Sequence, residues 1–413
     1  MQRRIMCLLA VGLAGTGLSA QSETGMFKFS GFGTLAVTQS SEKKADFITN
    51  YSQPNGAGFS RNLDFGGDSS LGGQIDATFN ETFSAVVQAI SERRYDATFT
   101  PYLNMAHLKI NLTPSLSVQV GRMPFSAFLI SQYQKVGYAT PWVRPPVEVY
   151  QFNPLNAVDG VGLTWRVPVG EVALTGQAVG GSSSARLAPK SENAEFKGDD
   201  IVSASVSAAY GNATFRVFHL QMKGTINSDR IDGPAGPFAI LRSPTMYYPP
   251  LGVMVPNPYY NLTLADQFQI KKDKLIYQSV GFNYDPGGWF LMIEETRESG
   301  DENMFLHFTA GYATLGVRFG DWTPYATAGW KHTTSPTTNA NPVVNAIIST
   351  MNTAQSSYSA GVRWDFHKNL ALKVQHDIVK NAIGSSGALT AIQLGFKTGE
   401  SYNLSTVALN FVF

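Results

Sequence analysis

Two kinds of side chain in this 413-residue sequence could do chemistry on a solute: isolated imidazoles, and charged groups set at alternate positions. The six histidines, His107, His219, His307, His332, His367 and His376, are scattered singly, and no HExxH or other close ligand spacing occurs. No dedicated metal site is therefore expected. No serine, histidine and carboxylate are brought together by local spacing, so no catalytic residue, cofactor or enzyme activity is assigned. Gly31-Phe32-Gly33-Thr34-Leu35-Ala36 fits a dinucleotide fingerprint only superficially, because it lies inside an alternating segment with no helix to follow. What remains is charge. Lys28, Lys109, Arg166, Arg216, Arg318, Arg363 and Lys373, with Arg122, stand on the polar side of alternating segments, against Asp76, Glu294, Asp365 and Asp377. Rings of charge around a water-filled tube bias which ions pass. The excess of basic positions predicts a mildly positive lining.

The elements that must carry these charges are strands. Only 15% of the residues are charged, against roughly 25% for an ordinary soluble domain. Hydrophobic residues make up 43%, with 39 glycines and 49 aromatics, so the chain is neither disordered nor a helical membrane protein. The longest apolar run, residues 5–15, falls short of the ~18–20 residues a membrane helix needs. A net charge of +1 offers no basic stripe for nucleic acid. From Met26 onward the apolar period is two, the signature of strands. Phe27, Phe29, Gly31, Gly33, Leu35 and Val37 share one face of the first, while Lys28, Ser30 and Thr34 share the other.

The pattern then repeats in pairs around Gly-, Asn-, Asp- or Pro-rich turns, the composition of hairpins. The pairs are 71–79 with 83–91, 104–112 with 116–123, 161–167 with 172–180, 201–210 with 213–222, 275–284 with 289–296, 304–319 with 324–330, and 358–366 with 370–379. With a first strand at 26–38 and a last at 402–413, sixteen strands are predicted. The connections between pairs are longer, at about 39–70, 94–102, 124–159, 181–199, 224–273, 297–303, 331–357 and 380–401. Strict alternation of short turns and long loops is the habit of an antiparallel barrel in an outer membrane. Phe79, Phe83, Tyr210, Phe215, Tyr284, Trp289, Phe319, Trp322, Tyr325, Trp364 and Phe366 crowd the short-turn ends, where an interfacial girdle belongs. In hydrocarbon each unpaired backbone group costs several kcal/mol, so such a sheet must close on itself. The fold class is thus all-β, a transmembrane antiparallel barrel wide enough at sixteen strands to leave a channel.

Residues 1–20 read as a cleaved export signal: Arg3 and Arg4, an apolar stretch over 5–15, then Leu18-Ser19-Ala20. The single cysteine, Cys7, lies inside it without a lipobox, so the mature chain has no thiol chemistry. Removing Arg3 and Arg4 leaves 29 basic against 30 acidic residues. Residues 21–413 are expected to form a single domain.

Over that whole length the chain resembles the Gram-negative outer-membrane porins, trimeric barrels of sixteen strands. Three passages carry the likeness. Gly25-Met26-Phe27-Lys28-Phe29-Ser30-Gly31-Phe32-Gly33 is similar to a porin first strand. The end, with Thr406, Phe411 and Phe413, resembles the signal read by the barrel-assembly machinery, although Ala408 stands where glycine is usual. Val120-Gly121-Arg122-Met123-Pro124, running on to Pro141-Trp142-Val143-Arg144-Pro145-Pro146-Val147-Glu148-Val149-Tyr150, resembles the stretch leading into the inward-folded third loop. The resemblance implies a homotrimer in outer-membrane lipid and lipopolysaccharide, passing small hydrophilic solutes by diffusion.

The third loop, at about 124–159, is where selectivity would be set. Long loops in compact proteins are usually functional, and this one is rich in proline and aromatic residues. It is expected to narrow the barrel and to present Arg144, Glu148 and Asp159 to the solute; the alternative is an outer loop gripping a neighbouring subunit. The 224–273 connection, rich in Pro, Tyr and Met, reads either as a packed outer loop or as an aromatic platform for sugars. The principal reading is a passive diffusion pore. A channel selective for anions or sugars, and a non-conducting structural or adhesive barrel, are the alternatives.

Overall fold

The computed structural model describes residues 25–151, 153–189, 191, 193–229, 238–267, 269–301 and 307–413. The export signal at 1–20 and the first residues of the strand expected from Met304 lie outside these. Sixteen long strands follow in order: β1 (Phe27–Ser40), β2 (Ser70–Thr78), β3 (Phe83–Glu92), β4 (Tyr102–Asn111), β5 (Leu116–Pro124), β6 (Ala157–Val169), β7 (Val172–Arg186), β8 (Glu195–Tyr210), β9 (Ala213–Asn227), β10 (Lys271–Tyr284), β11 (Trp289–Gly300), β12 (Phe308–Val317), β13 (Trp322–Thr333), β14 (Gln355–His367), β15 (Leu370–Asn381) and β16 (Ser401–Val412). Each pairs antiparallel with its neighbours in sequence. The last pairs with the first, from Phe32↔Val412 to Ser40↔Leu404. The sheet is therefore closed, and no long strand keeps a free edge.

The backbone alternation sorts side chains by face. Along β1, Phe27, Phe29 and Leu35 are exposed outward while Phe32, Thr34 and Thr38 are buried. Leu71, Ile75, Val87, Leu108, Val120, Val161, Leu163 and Trp165 continue the exposed apolar surface. At the short-turn end it is rimmed by Tyr210, Phe215, Trp289, Phe319 and Trp322, all exposed. Trp322 stacks on Trp364 with ring centroids 4.9 Å apart. Exposed apolar bands bordered by aromatics suit hydrocarbon below and headgroups at its edge. Among the described residues no helix is long and apolar enough to cross a membrane.

Several short turns are minimal, as at Gly211-Asn212 between β8 and β9, where Gly211 has a φ of +56° and glycine adopts the left-handed region without cost. The strands outrun the expected spans at the long-loop end. β7 continues to Arg186 and β8 starts at Glu195, so the loop expected over 181–199 shrinks to 187–194. The same happens on β9 and β10, which reach Asn227 and Lys271. These extensions carry polar residues on both faces, so the hydrophobic alternation fades while the hydrogen-bond ladder runs on. Bulges between Gly181 and Ser183 and between Asp199 and Val202 bend them.

The long connections form a cap. Asp46–Phe47 pairs with both Ala57–Gly58 and Leu389–Thr390, tying the first loop to the last. The 228–270 loop packs Phe238, Leu241, Ala265 and Ile270 against Val344 and Ile348 of the helix Pro342–Met351. Asn341 caps that helix through Val343 and Val344 N–H.

Candidate functional site

Residues 125–156, between β5 and β6, do not stay at the rim. Their side chains and backbone meet the polar face of strands on the far side of the sheet. Leu129 N–H donates to Glu294 Oε1 at 2.7 Å, and Tyr150 Oη donates to Glu294 Oε2 at 2.6 Å. Ser279 Oγ donates to the Ala127 carbonyl at 2.8 Å. Trp142 Nε1 lies 3.1 Å from both Thr314 Oγ1 and Thr327 Oγ1, and Val143 N–H donates to Gln375 at 3.0 Å. The strands offering these groups are β10 to β13 and β15.

An apolar core backs the polar contacts. Phe125, Phe128, Ile130, Trp142, Val149 and Tyr150 are buried with Phe218, Leu220, Tyr277, Phe290, Met292 and Tyr312 of the wall. Trp142 meets Tyr312 edge-on, ring centroids 5.7 Å apart, a favoured aromatic geometry. Burying a tryptophan or phenylalanine contributes about 1.5–3 kcal/mol each, so the segment is held firmly.

Arg144 is its electrostatic anchor. The guanidinium is 6% exposed and donates to Asp68 through two bonds of 2.8 Å, to Asp377 at 2.9 Å and to Thr38 at 3.1 Å. Burial alone would weaken its charge; Asp68 and Asp377 outweigh that and hold it protonated. Glu148, fully buried, accepts from Gln355 Nε2 at 2.7 Å. Burial pushes its carboxyl above the usual range, against the opposing pull of bonds from Gln355 and Ser357. Arg144 and Glu148, expected to face the solute, therefore face the wall.

Three more of the expected lining cations are taken up by the segment. Lys373 Nζ donates to the carbonyls of Gly137, Thr140 and Trp142 at 2.6, 2.8 and 2.8 Å. Arg363 donates to the Thr140 carbonyl at 3.0 Å and to Asp365, and its guanidinium lies 4.6 Å from the Tyr138 ring. Arg216 donates to the Ser126 carbonyl at 2.7 Å. All three point inward as alternation requires. They do so beneath backbone rather than into open water, a long-range arrangement that alternation cannot express.

Register corrects the placement of Arg122 and Asp159, and a bond to a turn carboxylate that of Arg318. Arg122 pairs with Asp159 across β5 and β6, in step with outward Val120↔Val161 two residues below. Their ion pair of 2.6 Å is thus on the outer face, near the long-loop rim. Arg318 lies at the short-turn rim, bonded to both carboxylate oxygens of Asp285 at 2.7 Å.

The remaining expected residues occupy the uncovered wall. Lys28 faces Asp76 in register on β1 and β2, and Asp76 also accepts from Gln74. Lys109 and Arg166 stand inward on β4 and β6, in register with Gln119 and Thr175. Around them are Gln119, Thr164, Gln177, Ser205 and Ser207, with His107 bonded through its ring to Gln119 at 3.2 Å. Among the described residues, the inward positions of β4 to β9 below the bulge at Asp199 carry no carboxylate. Opposite this wall, Lys135 of the segment is tied to Glu92 of β3 at 2.7 Å. A cavity of about 290 Å³ lies beside it, lined in part by Thr34, Arg94, Asn104, Gln134 and Arg186. Lys135 and Glu92 escaped the sequence reading, since they meet across the lumen from elements 43 residues apart. Among the described residues no group of three or more His, Cys, Asp or Glu is placed to hold a metal ion.

No protein-family profile and no curated protein matches the chain. Solved structures do. An anion-selective porin from Comamonas acidovorans superposes with a TM-score of 0.55 at 11% identity, covering 94% of this chain and 99% of its own. OmpF of Salmonella typhi, in complex with daunomycin, gives 0.54 at 11% identity over 94% and 97%. A trimer form of OmpT, an outer-membrane protein of Vibrio cholerae, gives 0.51 at 9% identity over 94% and 100%. At such identities the likeness is one of architecture, and the architecture is specific: the chain has the closed sixteen-stranded barrel fold of the porins.

Proposed function

We propose that this protein is an outer-membrane porin, a water-filled channel through which small hydrophilic solutes and ions diffuse, with a preference for anions. One observation carries the reading. The inward positions of β4 to β8 below the bulge, left uncovered by residues 125–156, carry hydroxyls, amides and the cations Lys109 and Arg166 and no carboxylate among the described residues, while on β1 and β2 Lys28 faces Asp76. Hydroxyls and amides replace parts of a solute's hydration shell without binding it tightly, and unpaired cations raise the local concentration of anions. The neighbouring porin described as anion-selective supports the same direction.

In this reading residues 125–156 are the constriction. They close one side of the lumen and leave the β4–β8 side for transport. The apolar outer band supports a barrel seated in an outer membrane, in contact with lipid and lipopolysaccharide. Residues 1–20 serve for export, and the terminal Phe413 presents the chain to the assembly machinery. The trimeric neighbour supports three copies acting together. The test is reversal potential across a planar bilayer under a KCl gradient. An anion-directed potential that changes sign in Lys109→Glu/Arg166→Glu is expected; a wild-type potential favouring cations overturns the anion preference, and absence of conductance from a folded barrel overturns the pore.

A further inference from the structure

The long-loop end of the barrel is not level. β6 pairs with β7 no higher than Asp159↔Ser182, while β7 runs on to Arg186, which pairs with Glu195 of β8. β3 ends at Glu92, just before Arg93 and Arg94. Arg94 and Arg186 thus stand beyond the edge of the wall, and both line the cavity of about 290 Å³ whose lining also includes Lys135 and Glu92.

That lining is unbalanced in charge. Six cationic side chains, Arg93, Arg94, Arg122, Lys135, Arg144 and Arg186, meet two carboxylates, Asp68 and Glu92. Four of the cations are tied: Arg93 to Asp64, Arg122 to Asp159, Lys135 to Glu92, and Arg144 to Asp68 and Asp377. Among the described residues, Arg94 and Arg186 form no ion pair. Glu92 is taken up by Lys135 and by Tyr102 Oη, each at 2.7 Å. Glu195, in register with the exposed Arg186, is turned to Lys197 at 3.4 Å. The Arg94 guanidinium lies over the Tyr102 ring, 4.5 Å from its centroid, with the Tyr95 ring at 5.7 Å. Stacking on a ring holds the guanidinium plane and leaves its N–H edge for a partner.

We propose that this cavity is a binding site for a small multivalent oxyanion, one whose charge is carried by phosphate or carboxylate oxygens, held by Arg94 and Arg186 ahead of the constriction. The chemistry of the two side chains selects the class. A guanidinium fork meets a carboxylate or phosphate edge through two parallel bonds, which a spherical ion cannot reproduce. The two forks come from β3 and β7, so a singly charged ion engages one of them and a multivalent anion both. The volume is close to the lower end for small-molecule sites, about 300 Å³, which keeps the ligand small. Unpaired cations in a concave, partly walled space also raise the local concentration of anions. Lys109 and Arg166 lie on the wall below, so the site adds a saturable step before them. Its place in transport rests on the pore reading above; binding itself does not.

Binding is measured by isothermal titration calorimetry on the folded barrel in detergent, with inorganic phosphate and with succinate in separate titrations at low ionic strength. Saturation at one equivalent per chain is expected, and KCl at about 0.5 M should weaken it several-fold by screening. Arg94→Gln/Arg186→Gln should raise Kd at least tenfold, and Arg186→Gln alone, at an exposed position, at least threefold. Saturation by phosphate, by succinate or by both supports the site and tells which oxygen chemistry it takes. No saturation with either anion, or a Kd unchanged in a folded Arg186→Gln and in the double variant, overturns the proposal. In a planar bilayer the same anions, added from the loop side, should block the KCl current in a saturating manner; binding without block overturns the site's place on the solute path. A barrel that binds but never conducts overturns the pore reading and leaves the binding site standing.

Discussion

Replacing Arg144 by alanine should loosen residues 125–156 without opening the barrel. The side chain is 6% exposed and satisfies Asp68 and Asp377, themselves 4% and 7% exposed. Its loss strands two buried carboxylates, and breaking a buried ion pair from one side costs about 3–5 kcal/mol. The charge falls on the docking of the segment, because the barrel ladder contains no bond to Arg144. At 1.4 kcal/mol per decade, the docked-to-undocked ratio should fall by about two to three and a half powers of ten. The barrel itself should keep its heat-modifiable migration on gels. Single-channel recording should show larger conductance or frequent excursions, and protease should cut near 130–145. Arg144→Lys, which keeps the charge but not the forked geometry, should fall between. Unchanged conductance and protection in Arg144→Ala would refute the idea that this ion network holds the segment down.

Removing residues 130–150 should raise conductance by a clear factor; a deletion variant that folds yet conducts as before is incompatible with a constriction. Arg363→Glu should resemble Arg144→Ala in its current noise, because Arg363 holds the Thr140 carbonyl, with anion selectivity changing less than in Lys109→Glu. The pH response of the segment turns on Glu148. Its carboxyl is raised in the docked state, so docking binds a proton more readily than release does. Stability of the docked form is therefore greatest at pH below the ordinary glutamate range and declines as pH rises through the raised value. Protease protection against pH, with Glu148→Gln flattening that part of the profile, checks the sign. Trp142→Ala removes a fully buried ring and should cost about 3–5 kcal/mol of docking, read by the same assay.

Period-two alternation and turn composition made every barrel strand legible in the sequence, because each strand obeys a local rule: one face meets lipid, the other water. Local rules end where the strands leave the apolar band, which is why β7–β10 run past their expected ends. The site was legible only in outline. Alternation places Arg216, Arg363 and Lys373 inward, as found, but cannot distinguish a cation in water from one capped by carbonyls of a distant segment. Lys109 and Arg166 obey the same rule and remain in the open. Arg122 and Asp159 were misplaced, since near the rim the residues stop declaring which face is wet. Lys135 and Glu92 needed the path of the segment itself.

The pairing of β1 with β16 governs how the molecule can be made. Asn410 Nδ2 donates to Thr34 Oγ1 across 376 positions of chain, so the first strand waits for the last before its second edge is satisfied. Folding from the N-terminus during synthesis would leave a half-cylinder with two sticky borders, prone to join its neighbours. The backbone of such a sheet is satisfied all round only when its last strand is in place, so closure is the final event of its folding.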